Sequence, residues 1–258
     1  MGQSLLFGVI ASSALLLGAL AGGRIQLPKR VLAAMLAFAA GALITALAFE
    51  LFEDSYQQGG LWRAALGLLA GAVVFTVISY WLDRAAEGHR EEDHGSEKLD
   101  TDAPASDEAP SPASVSGAAG LALLAAVTLD GVPENVALGV SLGEGTGGLA
   151  LLAAIFVSNF PEALVGSASM RQQGRSQWYI VGMWTACAVL LALAVVLGAG
   201  PLSSATKETL SLPLAFAAGA VLASLADTLM PEAYEDGGPI VALSTAAGFV
   251  LSYYLSTL

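Results

Sequence analysis

The sequence predicts an all-α, polytopic membrane protein with eight transmembrane helices in a three–two–three arrangement with inverted repeats. Three observations carry this. The 258-residue chain is 55% hydrophobic and only 12% charged, with a mean hydropathy of +0.69, too apolar for a soluble surface. Its apolar residues fall into eight windows of about 20 residues, the length that crosses a bilayer. Two of those windows are related to each other at a constant offset of 178 residues.

The eight expected spans are roughly 4–22, 31–53, 62–82, 117–142, 147–169, 177–199, 211–233 and 239–257. The first, from Leu5 to Ala21, has no basic flank before it and is long enough to stay as a span rather than be removed as a signal peptide. Turn chemistry separates the spans: Gly22-Gly23, Gly59-Gly60, Gly143 to Gly148, Gly174, Gly200-Pro201 and Gly237-Gly238-Pro239. Trp62, Trp81, Trp178, Tyr179 and Tyr253-Tyr254 stand near span ends, where aromatic rings favour the headgroup level. The organisation read from this is 1–82 for spans one to three, 83–116 for a loop, 117–170 for spans four and five, and 171–258 for spans six to eight.

Eight spans put both termini on one side. Arg24, Lys29, Arg30, Arg84, Arg90, Lys98, Arg171 and Arg175 then fall opposite the termini, and only Arg63 and Lys207 share their side. That asymmetry predicts a cytoplasmic (inner) membrane protein with both termini outside and the 83–116 loop in the cytoplasm. The loop holds ten acids between Asp83 and Glu108, then turns rich in Pro, Ala and Ser, and disorder is expected there. It also holds both histidines, His89 and His94. They are open to two readings, a metal-collecting tether or a solubilising linker, and composition favours the linker.

Residues 37–60 and 215–238 are identical at 12 of 24 positions, including Gly41 with Gly219, Tyr56 with Tyr234 and the terminal Gly-Gly pairs. They belong to spans two and seven, which run in opposite directions. Repeats of opposite topology are typical of secondary transporters, whose substrate sites lie near the midplane where the repeats meet.

The chemistry concentrates in spans four and five. Leu129-Asp130-Gly131-Val132-Pro133-Glu134-Asn135 and Val157-Ser158-Asn159-Phe160-Pro161-Glu162-Ala163 each place a Pro-Glu pair inside an apolar run. Intramembrane acids are expensive and by default mark an ion or proton pathway. Asp130 and Glu134 share a helix face at a spacing of four, as do Ser158 and Glu162, while Asn159 and Glu162 are three apart. Pro133 frees the Leu129 carbonyl from its helical bond, and Pro161 frees that of Val157. If the two helices face each other, these oxygens form a cage suited to a hard or borderline divalent cation. The plainer reading, that the prolines only kink two packed helices and the acids are protonated, fits one such motif better than two.

Asp227 inside span seven, Glu50, Glu53 and Asp54 at the outer end of span two, and Glu232 at the inner end of span seven are candidate pathway acids; Asp227 is expected to be buried. An enzyme is not expected. There is no His-Glu-x-x-His, no serine or cysteine stands near a plausible base, and the single Cys187 excludes a multi-cysteine centre. A net charge of −12 speaks against nucleic acid as a partner.

With the two Pro-Glu helices placed, the chain resembles the ZIP (Zrt/Irt-like) family of divalent metal transporters, over nearly its whole length. In the places of its span-four motif, His-Asn-x-Pro-Glu-Gly, this chain holds Asp130, Gly131, Val132, Pro133, Glu134 and Asn135, sharing the Pro-Glu pair and carrying aspartate in the histidine place. Met230-Pro231-Glu232-Ala233 in span seven is similar to the family too. The resemblance implies a carrier importing a divalent cation such as Zn, Mn or Fe, with Glu134 and Glu162 as ligands. Asp130 stands where a ligand is usual, and Ser158, Asn159 and Asn135 support the three acids. The acid that many members carry in span six has no counterpart here, which argues against a second, bridged metal ion. Without the histidine, the all-oxygen set suits Mn, Fe, Mg or another divalent ion better than zinc. The expected partners are the lipid bilayer and the metal ion, with a homodimer left open. Two other readings of the same acids stay open: a proton- or sodium-coupled carrier of another solute, and a non-transporting metal sensor.

Overall fold

The computed structural model describes residues 2–25, 27–96, 119–144, 148–202 and 205–257, and these contain helices and connections but no strand. The helices are α1 (Gly2–Gly22), α2 (Lys29–Ala46), α3 (Glu53–Ser96), α4 (Ala119–Glu144), α5 (Leu149–Gln172), α6 (Gln177–Ala199), α7 (Lys207–Ser224), α8 (Met230–Gly237) and α9 (Ile240–Ser256). Two π-helical turns, Leu47–Phe52 and Leu225–Leu229, join α2 to α3 and α7 to α8. Ser176 and Thr206 cap α6 and α7, accepting hydrogen bonds from the amides of Tyr179 (3.2 Å) and Thr209 (3.3 Å).

Among the described residues, five stretches are long and apolar enough to cross a membrane: Ser4–Gly22, Lys29–Trp81, Leu149–Gln172, Gln177–Ala199 and Lys207–Gly237. Ile240–Ser256 is a shorter apolar helix. Lys29–Trp81 has 53 residues. Straight, it would measure about 80 Å, far more than a hydrocarbon core. It is broken at Gly60, whose φ of 76° and ψ of 170° lie outside the helical region and suit a residue without Cβ.

One boundary differs from the sequence expectation. The helix after Gly60 does not stop at residue 82 but runs to Ser96, through the first part of the acidic segment. An isolated polar stretch has little reason to be helical, but here it continues a helix already nucleated in the apolar span. His89 and His94 lie on this extension, with their side chains outside the described residues, as is all of 97–118.

The 178-residue offset reappears in the backbone. The π turns begin at Leu47 and Leu225, and positive-φ glycines follow at Gly60 and Gly238 (φ 57°), each pair related by that offset. In packing, α2 and α7 keep it, Gly41 with Gly219 and Phe38 with Phe216, while their partner glycines on α3 and α9, Gly71 and Gly248, are 177 apart. A Cβ on Gly41 of α2 would run into the Thr245 carbonyl of α9, and one on Gly248 of α9 into the Phe38 carbonyl. At the equivalent crossing, Gly219 of α7 meets the Leu68 carbonyl of α3, and Gly71 meets that of Phe216. Backbones approach this closely only where side chains are absent, the usual device of membrane helix packing. α1 docks on α5 through Gly18 and Gly22 against Phe160 and Leu164, and α4 meets α6 through Gly139 and Gly198 against Val195 and Val136.

Polar side chains tie some of these crossings. Thr45 Oγ1 donates to the Phe249 carbonyl across α2 and α9 (3.1 Å), and Arg171 at the end of α5 donates to Gly23 (2.8 Å). Ser55 and Ser211 are fully buried and each donates to the other's carbonyl at 2.8 Å. The positions related to them by the repeat are Ala233, buried in an apolar cluster with Leu36 and Ala37, and Ala33, which is also buried. The two ends of the repeat therefore share a backbone crossing but differ in its chemistry.

The largest buried cluster draws on α2, α4, α5 and α7, with Leu43, Leu138, Ile155, Leu214 and Val221 among its members. A second cluster, around Leu15, Met170, Ile180, Trp184 and Leu191, joins α1, α5 and α6.

Candidate functional site

Both Pro-Glu segments are helical, Pro133 inside α4 and Pro161 inside α5, and these two helices pack on each other. How each helix is rotated decides where its glutamate points. On α4, Gly131 packs against the Leu191 side chain and Gly139 against the Val195–Ala199 backbone, so that stripe is turned toward α6. Asn135 lies between them at a spacing of four. Glu134 is about 100° round the helix from Asn135. It shares its face with Ala137, Leu138 and Ser141, all nearly inaccessible to solvent, and the first two belong to the main cluster.

α5 is arranged likewise. Phe160, Ala163 and Leu164 contact α1 at Gly18 and Gly22, while Leu151 and Ile155 face the main cluster. Glu162 continues the Leu151–Ile155–Ser158 line at helical spacing. Glu134 and Glu162 are each only 5% exposed. Both carboxylates therefore lie on the inward sides of adjacent helices, toward the core shared with α2 and α7. A carboxylate this deep is unstable as a bare charge and calls for a cation or a proton.

Their neighbours are also buried. Ser158 and Asn159 are 2% exposed and Asn135 is inaccessible. Ser158 Oγ donates to the Ile155 carbonyl (3.1 Å), which leaves its lone pairs as acceptors. Asn135 Nδ2 donates to the Gly131 carbonyl (2.8 Å). Asn135 Oδ1 and Asn159 Nδ2 are buried with no hydrogen-bond partner among the described residues. Asn159 lies three residues before Glu162 on α5, whereas Asn135 belongs to the α4 stripe turned toward α6 rather than to the Glu134 face.

Asp130 lies on α4, one turn before Glu134, and its side chain is outside the described residues. Among the described residues, no three His, Cys, Asp or Glu side chains form a metal cluster. Ser141, seven residues beyond Glu134 on the same face, was not singled out from the sequence. Only its spacing from Glu134 could have marked it.

The pathway acids sort differently. Asp227 is exposed, not buried: the π turn directs Leu225 and Leu229 to the core and rolls Ala226 and Asp227 outward. There its Oδ2 accepts a hydrogen bond from Ser79 of α3 (2.9 Å). Glu53 is exposed and accepts from Gln57 Nε2 (2.8 Å), and Asp54 is half-buried beside it in sequence. Half-buried Glu232 lines a cavity of about 370 Å³ between α2, the end of α5 and α8, together with Lys29, Ser169, Gln172 and Asp236. Lys29 and Asp236 form an exposed ion pair there (3.2 Å).

Glu50 has a specific structural partner. Its Oε2 accepts from the Leu151 amide (3.1 Å), in the first turn of α5, where the N-cap is Gly148 and offers no side chain. The π turn of α2 thus supplies the missing cap of the helix that carries Glu162, and the carboxylate meets the positive end of that helix. Glu50→Ala should lower stability by about 1 kcal/mol, the usual worth of a cap, with a smaller loss for Glu50→Gln, which keeps an acceptor oxygen. Thermal unfolding in detergent checks this; equal loss in both variants would show that the contact does not act as a cap. No family model and no curated protein matches the chain.

Proposed function

We propose that this chain is a divalent-cation carrier of the Zrt/Irt-like type, importing its ion through a site between α4 and α5. The observation that carries the reading is the inward placement of Glu134 and Glu162, two deeply buried carboxylates on packed helices. Glu134, Glu162 and Asp130 are assigned as ligands, with Ser158, Asn159 and Asn135 in support. Zn, Mn and Fe are the candidate substrates.

The reading includes eight crossings in a three–two–three arrangement with inverted repeats in an inner membrane, both termini outside. The break at Gly60, which divides Lys29–Trp81, supports the count. The matched π turns and the matched glycine crossings support the repeat. Repeats related in this way permit alternating access, one set of helices rocking against the other around a central site. α1, α5 and α6 pack together, as do α2 with α9 and α3 with α7.

Cation flux into proteoliposomes, measured with Zn, Mn, Fe, Co, Cd and Mg, tests the proposal. Accumulation of at least one of these ions above protein-free vesicles is expected. Flux of none, from protein verified as folded, overturns it. Proton flux driven by a pH gradient without metal would assign the same acids to a proton-coupled carrier of another solute.

A further inference from the structure

A groove of about 670 Å³ opens between α2, α5 and α9, on a different side of α5 from the line that carries Glu162. Along α2 its wall is Arg30, Val31, Ala34, Met35 and Phe38, one continuous stripe at helical spacing. Phe156, Val157 and Phe160 of α5 form the second wall, and Leu243 and Ala247 of α9 stand in the third. Small residues at 34 and 247 keep the helices from filling the space. Apart from Arg30 and Ser244, every lining side chain is apolar.

Arg30 decides what would occupy it. It is exposed and makes no hydrogen bond or ion pair with any described residue, whereas its neighbour Lys29 is committed to Asp236. The guanidinium stands at the start of α2, where the crossing segment begins, and the apolar stripe runs about 12 Å from it to Phe38. A cationic fork at headgroup level above an apolar slot between crossing helices matches one ligand chemistry, a phosphate ester carrying an acyl chain. We propose that this groove binds one anionic phospholipid, with its phosphate on Arg30 and an acyl chain against Phe38, Phe160 and Leu243. The inference rests on these helices lying in a membrane and not on cation transport. Because Val157 and Phe160 flank Ser158 and Asn159 in sequence, an occupying lipid would brace α5 beside the candidate site.

Native mass spectrometry of the full chain, taken from mixed micelles of phosphatidylglycerol and phosphatidylcholine, tests it. Preferential retention of one phosphatidylglycerol is expected, falling at least fivefold in Arg30→Gln. Ala247→Leu, which fills the slot without touching the charge, should lower retention by a similar factor. Thermal unfolding checks that both variants are folded; if Ala247→Leu is not, Ser244→Leu replaces it. Equal retention of the two lipids, or retention unchanged by Arg30→Gln, overturns the proposal. Cation flux is read separately, so failure of the transport reading leaves this result standing.

Discussion

Glu162→Gln is expected to abolish cation flux while the protein stays folded, and Glu134→Gln should do the same. Glutamine keeps the shape of the side chain and one acceptor oxygen, replaces the other oxygen with an NH2 donor and removes the charge. In a buried site that charge opposes the ion almost unscreened. Removing one partner of a buried charge pair costs about 3–5 kcal/mol, which corresponds to binding weaker by on the order of 10²–10⁴-fold. The same change relieves the empty protein of a desolvated carboxylate, which is only 5% exposed at either position. Thermal stability without metal should therefore hold or rise, while stabilisation by added metal should vanish. Radiotracer uptake together with thermal unfolding, with and without metal, separates this outcome from simple misfolding. Normal uptake by either variant would remove these residues from the site.

The second large effect concerns packing. Gly41→Ala should destabilise the α2–α9 crossing by about 1–3 kcal/mol, the range for inserting a group into a filled core. Its new Cβ would fall on the Thr245 carbonyl and beside the Phe249 amide, and backbone cannot rotate out of the way as a side chain can. Gly219→Ala should behave alike, because the repeat places Gly219 against the Leu68 carbonyl of α3. Gly182 in α6 is the control: its Cβ would meet open space, so alanine there should be neutral or slightly stabilising. Monodispersity and unfolding temperature in detergent report all three. Equal behaviour of Gly41→Ala and Gly182→Ala would mean that the crossings are looser than described.

Much of the helical layout was legible from local signals. Glycine pairs marked the breaks near residues 22, 59 and 237, and the sixth span, 177–199, coincides with α6. The repeat was visible as 12 identities in 24 positions, of which the close backbone crossings explain Gly41 with Gly219. The end of α3 was missed because composition describes a residue's own preference and not the helix it continues. Asp227 was misplaced because burial was read from its position inside a span, and position along a span does not say which way a side chain faces; the π turn faces it outward. The role of Glu50 was hidden because its partner, Leu151, is 101 residues away.

The sequence by itself determined that the chain is apolar, helical and long enough to cross a membrane repeatedly, that it carries two similar Pro-Glu helices, and that two of its spans are related. These properties depend on composition and on spacing along one helix. Only the tertiary structure decided that Glu134 and Glu162 turn toward a shared core, that Asp227 turns outward and that Glu50 caps α5. Helices that are apolar on every side carry no stripe to say which face turns inward. Their rotation is set by where glycine lets one backbone meet another, and that is a property of pairs of helices.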